Sequence, residues 1–328
     1  MKKLLKKTLK LILPVVLGGF ILFWVYRDFD FTKAGDVLLH GTNWWWMLFS
    51  LLFGVFAQVF RGWRWRQTLE PLDAFPKKSD CVNAIFISYA ASLVVPRIGE
   101  VSRCGILAKY DNVSFAKSLG TVVTERLVDT LTILLITGIT VLLQLPIFVT
   151  FLQQTGTKIP SLVHLLTSVW FYIILFCFIG VAILLYYLRK TLFFYERVKG
   201  FVLNIWEGIM SLKGVRNIPL FIFYTLAIWA CYFLHFYFTF YCFAFTAHLG
   251  ILAALVMFVG GTFAVIVPTP NGAGPWHFAI ISMMMLYGVN VTDAGIFALI
   301  VHGIQTFLVV LLGVYGLAAL PFTNRHRA

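Results

Sequence analysis

Six apolar runs divide this chain, at about 11–26, 44–60, 118–145, 161–188, 218–247 and 294–320, each long enough to cross about 30 Å of hydrocarbon. A backbone in lipid must satisfy its own hydrogen bonds, and helices of this length do so. The chain therefore reads as an all-α, polytopic helical membrane protein. Hydrophobic residues make up 60% and charged residues only 12% of the 328 positions, more apolar surface than a soluble domain of that size can hide. The net charge of +13 does not indicate a nucleic-acid partner, because the basic residues cluster in short segments between the spans.

Those segments orient the chain. Residues 61–80 carry Arg61, Arg64, Arg66, Lys77 and Lys78, and 189–216 carry Arg189, Lys190, Arg197, Lys199, Lys213 and Arg216. Residues 146–160 carry only Lys158. The positive-inside bias reads 61–80 and 189–216 as cytoplasmic loops and 146–160 as external. The lysine-rich start before the 11–26 run, closed by Phe23-Trp24-Val25-Tyr26-Arg27, reads as a retained first helix with an interfacial aromatic belt rather than a cleaved leader. Arg325 and Arg327 put the C-terminus on the cytoplasmic side with the N-terminus. Trp44-Trp45-Trp46, Trp63 and Trp65 read as interfacial anchors.

Two further apolar regions are broken by proline. In 81–116, Pro96-Arg97-Ile98-Gly99 interrupts the run; in 250–290, Pro268-Thr269-Pro270-Asn271-Gly272-Ala273-Gly274-Pro275 does so. Proline removes a helical hydrogen bond and glycine lets the chain turn. Parity requires 81–116 to begin and end on the same side. A re-entrant hairpin fits that better than two full crossings, because the return limb is short and carries Arg103, Lys109 and Asp111. For 250–290 a re-entrant pair and two short spans both satisfy parity, and the pair is favoured. The two halves then share a plan of helix, broken hairpin, helix over about 44–145 and 218–320. That plan suggests an inverted repeat within one integral-membrane domain spanning 1–328. The segment 190–213 has an apolar face and reads as an amphipathic cytoplasmic or interfacial helix.

Charge inside a bilayer is costly and usually functional. Arg97, Glu100 and Arg103 follow the first proline, and Glu125, Arg126 and Asp129 lie on the next helix; these six sum to zero. Arg126 can reach Asp129 at a spacing of three, and Glu125 needs Arg97 or Arg103 from the hairpin. The set is either a permanent clamp of salt bridges or a site that exchanges partners with a charged ligand. Arginine suits the second role, since its planar fork grips phosphate or carboxylate. At the second tip, the backbone N–H groups of Gly272 and Gly274 and the start of the following helix form a candidate anion seat. His277 beside it is a candidate proton carrier or a hydrogen-bonded structural residue. His302 and Gln305 are weaker candidates. No CxxC, HExxH, P-loop or GxSxG occurs, and the five cysteines have no metal-ligand spacing, so neither a catalytic site, a metal, a cofactor nor an ATP site is expected.

Three ordered motifs carry a resemblance. Pro96-Arg97-Ile98-Gly99-Glu100-Val101-Ser102-Arg103, then Glu125-Arg126-Leu127-Val128-Asp129, then Pro268-Thr269-Pro270-Asn271-Gly272-Ala273-Gly274 resemble the lysylphosphatidylglycerol synthase transmembrane-region family. This is the flippase-like domain of the multiple peptide resistance factor and its stand-alone relatives, and the resemblance covers nearly the whole chain. It implies a multi-pass protein of the bacterial cytoplasmic (inner) membrane that moves lipid between leaflets. In the resistance factor, this domain carries aminoacylated phospholipid to the outer leaflet. The matched positions would be Arg97, Glu100 and Arg103, then Glu125, Arg126 and Asp129, then the Pro268–Gly274 turn. The soluble aminoacyl-transferase domain of the synthase is absent. Lipid synthesis is therefore not assigned to this chain, and a separate lipid-synthesising enzyme would be its partner. His277 stands where many relatives carry a glutamate, which bears on the charge of the substrate.

The leading expectation is a flippase, not an enzyme, whose ligand is a phospholipid or another polar-headgroup lipid. The rivals are a secondary transporter of a small anion, an intramembrane lipid-modifying transferase using Glu100 or Glu125 as base, and a non-transporting accessory subunit.

Overall fold

A computed structural model describes residues 2–27, 29–146 and 210–324, together with Leu203 and Trp206. Among the described residues are ten α-helices, joined by short turns: α1 (Lys2–Tyr26), α2 (Phe31–Asp36), α3 (Trp44–Leu69), α4 (Lys78–Val94), α5 (Ile98–Tyr110), α6 (Phe115–Leu143), α7 (Ile218–Tyr237), α8 (Ile251–Ala264), α9 (Pro275–Leu286) and α10 (Val291–Thr323). Four of these, α3, α6, α7 and α10, are long and apolar enough to cross a membrane. Asn43, Asn217 and Asn290 cap α3, α7 and α10, each accepting a backbone N–H of the first turn. The expected span at 161–188 and most of the amphipathic segment 190–213 lie outside the described residues.

One boundary differs in a way that matters. The apolar run of α3 stops at Phe60, and 61–80 reads as a basic loop. The helix instead continues through Arg61, Arg64 and Arg66 to Leu69. Arg61 and Arg64 are buried, and Trp65, read as an interfacial anchor, is fully buried between α3 and the first hairpin. Trp44 and Trp45 are exposed at the other end of the helix. Hydropathy averages a whole helix, whereas burial is decided on one face of it, and positions 61, 64, 65 and 68 share that face.

The helices pack as two interlocked sets. In the first, α3 precedes the hairpin α4–α5 and α6 follows it; in the second, α7 precedes the hairpin α8–α9 and α10 follows it. The lead helices α3 and α7 pack on one another. They run antiparallel: Asn43 N–H donates to the Cys242 carbonyl at 2.8 Å at one end, and a side chain at Gly214 would meet Pro71 at the other. Each hairpin then packs on the other set's last helix, α4 on α10 and α8 on α6. Asp80 in the first turn of α4 is fully buried and accepts from Asn324 Nδ2 at 2.8 Å and Thr323 Oγ1 at 3.1 Å, tying the start of α4 to the end of α10. Tyr287 after α9 donates to Gln144 after α6 at 3.2 Å. The hairpins thus enter the bundle from opposite ends. The helix α1 lies against α9 and the second tip, and Tyr26 donates to the Gly295 carbonyl of α10.

Candidate functional site

At the first tip, Val95 is extended, as a residue before proline prefers, and α4 ends there. Arg97 follows with φ +67°, a left-handed conformation that costs a non-glycine residue about 1–3 kcal/mol unless its surroundings hold it. The helix α5 restarts at Ile98, pressed against α4. A Cβ on Gly99 would collide with the Ser88 carbonyl and Ser92 Oγ. Gly99 N–H instead donates to Ser92 Oγ at 3.2 Å, and Ser92 donates to the Ser88 carbonyl at 3.0 Å. The break is therefore a built turn that presents Arg97 outward.

At the second tip, Pro268 to Gly274 form a compact turn with positive φ at Asn271, Gly272 and Gly274. Asn271 Nδ2 donates to Thr306 Oγ1 at 2.8 Å, and the Asn271 carbonyl accepts from His302 Nε2 at 3.1 Å, so α10 holds the turn.

The two tips meet. A cavity of about 220 Å³ is walled by Pro96, Arg97, Glu100 and Arg103 from the first hairpin and by Pro268, Thr269, Asn271 and Gly272 from the second. Arg61 from α3 and Arg126 from α6 complete its wall.

Behind that wall lie the carboxylates. Glu125 is fully buried, accepting from Arg103 Nη1 at 2.6 Å and standing 3.6 Å from Arg64 Nη2. Asp129 takes Arg64 Nη2 at 2.7 Å, Arg61 Nη1 at 3.0 Å and Arg126 Nη2 at 3.5 Å. Glu100 faces Arg126 at 3.5 Å on the half-exposed rim. Aromatic faces cover the guanidiniums: Trp65 lies 4.6 Å from Arg103, and Tyr89 and Tyr232 flank Arg61 at 5.9 and 5.7 Å. Five arginines therefore face three carboxylates, and the cluster carries a net charge of +2. Arg97 is exposed, and the described residues offer it neither an ion pair nor a hydrogen bond. Arg61 Nε, Arg103 Nη2 and Thr269 Oγ1 are buried without a hydrogen-bond partner, although each residue reaches the cavity.

A model of the lysylphosphatidylglycerol synthase TM region matches residues 11–313. The chain belongs to that family. No curated protein and no solved structure matches it. It is accordingly a multi-pass membrane domain.

Within this family member, the motif residues divide by position. Arg97, Glu100, Arg103 and Arg126 line the cavity, whereas Glu125 and Asp129 sit one layer deeper and clamp α3, α5 and α6 together. Arg61 and Arg64 belong to the same cluster and were hidden by the loop reading of 61–80. Their spacing of three, with Trp65 between charged and apolar faces, is the signal that could have found them.

The second tip differs from the expected anion seat. Gly272 N–H donates to the Thr269 carbonyl, and Gly274 N–H donates to His277 Nδ1 at 3.3 Å. Both groups are thereby used within the turn. The start of α9 is covered by α1, since a side chain on Gly274 would strike Ile21. His277 is buried behind the turn, edge-on to Tyr26 and 4.5 Å from the His302 ring, and does not reach the arginine cavity. Of the second-tip residues, Pro268, Asn271 and Gly272 line the cavity, and Pro270 and Gly274 shape the turn behind it.

Proposed function

We propose that this protein is a lipid translocase, with the arginine cavity as the station for a polar headgroup between leaflets. The observation that carries this reading is the meeting of two broken hairpins, entering from opposite ends, at one cavity with net positive charge, where Arg97 has no ion pair with the described residues. A guanidinium without an ion pair beside a positive cavity favours an anion there. A headgroup phosphate offers oxygens that arginine binds in a bidentate way, and such contacts replace the water lost on leaving the surface. Acyl chains stay in lipid beside the exposed apolar faces, such as Leu127, Leu131 and Leu135 of α6.

The hairpin limbs support a re-entrant arrangement. At about 1.5 Å per residue, α5, α8 and α9 reach only about 18–21 Å, short of the ~30 Å hydrocarbon core. The reciprocal packing, α4 on α10 and α8 on α6, together with antiparallel lead helices, supports an inverted repeat over about 44–145 and 218–320. Arg66, Lys77, Lys78, Lys117, Lys213 and Arg216 gather at the end where the first hairpin enters. That bias supports a cytoplasmic face there, with both termini inside a bacterial inner membrane. In this reading the chain is a transporter rather than an enzyme, supplied by a separate lipid-synthesising enzyme.

Proteoliposomes test it. Arg97→Ala and the double change Arg97→Ala/Arg126→Ala should abolish crossing of a headgroup-labelled phospholipid. The thermal unfolding midpoint of the single variant should match wild type, because Arg97 is exposed and makes no ion pair with the described residues. Undiminished crossing in both variants would overturn the proposal.

A further inference from the structure

A groove of about 490 Å³ lies between α3, α4 and α10, where the two helix sets interlock. It has no lining residue in common with the arginine cavity. On α4 the two use different faces: Ser79, Val82, Asn83 and Phe86 line the groove, and Ile85, Ser88, Tyr89 and Ser92 line the cavity. The helices α3 and α10 are long and apolar enough to cross a membrane, so the groove between them faces lipid.

Its lining is graded along its length. Lys78, Ser79 and Thr323 stand at the basic end, where α4 starts and α10 finishes. Asn83 follows more than a turn further along α4. Beyond it Val55, Val59, Phe86 and Leu312 make the lining apolar. At about 1.5 Å per residue the α10 side, from Leu312 to Thr323, runs about 16 Å, one leaflet's share of a ~30 Å hydrocarbon core.

Two polar side chains at the basic end lack partners. Lys78 is exposed, and the described residues offer its ammonium neither an ion pair nor a hydrogen bond. The groups beside it are committed elsewhere. Lys77 Nζ donates to the Thr323 carbonyl at 2.6 Å and to Asn324 Oδ1 at 2.9 Å. Asp80 is fully buried and accepts from Thr323, Asn324 and Ser79. Asn83 is only 4% exposed and makes no hydrogen bond with the described residues, yet it lines the groove and its amide is not sealed off. An ammonium without a counterion beside apolar surface favours an anion, and a buried amide favours a partner. No carboxylate lines the groove, so the cationic group of a zwitterionic headgroup gains nothing there.

We infer that this groove is a binding site for one anionic phospholipid that stays bound and is not transported. Ammonium, amide and apolar channel come in the order of phosphate, ester and acyl chain. The phosphate sits on Lys78, an ester carbonyl accepts from Asn83 Nδ2, and one acyl chain lies between α3 and α10. The lipid braces the packing of α4 on α10, the contact that joins the first set to the second. This site is separate from the arginine cavity and does not rest on the translocase reading.

Native mass spectrometry of the purified, delipidated full-length protein tests this, because it reports bound lipid and subunit number together. The probes are dioleoyl phosphatidylglycerol and dioleoyl phosphatidylcholine. In the Arg97→Ala/Arg126→Ala background, which disarms the arginine cavity, one phosphatidylglycerol should still bind, about tenfold more tightly than phosphatidylcholine. Adding Lys78→Glu should weaken it about tenfold. Ala319→Phe, which fills the groove from α10 without changing charge, should displace both lipids. Loss of all bound phosphatidylglycerol in the Arg97→Ala/Arg126→Ala background would overturn the groove site and leave the translocase reading standing. Equal affinity for the two lipids would overturn the anionic assignment. Binding unchanged by both Lys78→Glu and Ala319→Phe would overturn the location. A dimer that Lys78→Glu dissociates would overturn the lipid in favour of a second copy of this chain.

Discussion

At the scale of single residues, the cluster separates side chains that hold the protein together from those that face the cavity. Glu125 is fully buried and takes Arg103 at 2.6 Å, so removing its charge strands the Arg103 guanidinium in a dry setting, while Arg64 keeps Asp129 at 2.7 Å. Breaking a buried pair this way costs about 3–5 kcal/mol, more than the pair itself contributes against an apolar replacement. Glu125→Gln should therefore lower the unfolding midpoint of the detergent-solubilised protein markedly, as followed by tryptophan fluorescence. Glu100→Gln loosens only a 3.5 Å contact at the half-exposed rim and should leave the midpoint within the roughly 1 kcal/mol of an exposed pair. Equal destabilisation by the two changes would contradict this layering. The layering also explains the charge of the site. The carboxylates neutralise the arginines from behind, so the guanidiniums are held in place yet keep donors for a ligand.

At the scale of elements, the first hairpin depends on how closely α5 lies on α4. Gly99 is where the two backbones touch, and α5 offers a control six residues on, where a Cβ at Gly105 meets nothing. Gly99→Ala should force the limbs apart and cost about 1–3 kcal/mol, as overpacking does. Gly105→Ala should be neutral or stabilise by about 0.5–1 kcal/mol, because alanine loses less backbone freedom in a helix. Chemical or thermal unfolding of both variants checks the contrast, and similar effects at the two sites would contradict the packing. The second hairpin is held by different means. Its turn is pinned through Asn271 to Thr306 and His302 of α10 and backed by α1, which closes off the start of α9. The two hairpins are alike in plan and unlike in chemistry: arginines mark one tip, and a neutral turn marks the other.

At the scale of the whole molecule, each hairpin reaches across to the other set's last helix, and the bundle closes only when both sets are present. The start of α4 and the end of α10 define one end; the end of α6, the loop after α9 and the start of α10 define the other. If the basic end is cytoplasmic, Lys213→Cys should react with a membrane-impermeant maleimide only after permeabilisation of cells, and Val291→Cys should react in intact cells. Labelling of both from one side would contradict the orientation. Among the described residues Cys81, Cys104, Cys231 and Cys242 are buried; Cys177 lies outside them, so both variants are made in a Cys177→Ser background, which serves as the blank.

The amino-acid order alone established the class of the protein, the helices α3, α6, α7 and α10, and both breaks. Those properties are local: apolar runs and the missing N–H of proline act on their own few residues. It also narrowed the partner of Glu125 to Arg97 or Arg103, through the cost of leaving a carboxylate unpaired, and the packing of α5 on α6 selected Arg103. Folding in three dimensions was needed to bring Arg61 and Arg64 into the cluster, because a helix can carry charge on a face turned inward while its average hydropathy reads as a loop. The same holds for His277, buried behind the turn and edge-on to Tyr26 of α1. Tyr26, His277 and His302 come from elements far apart in the chain, and only the packing of α1, α9 and α10 brings them together.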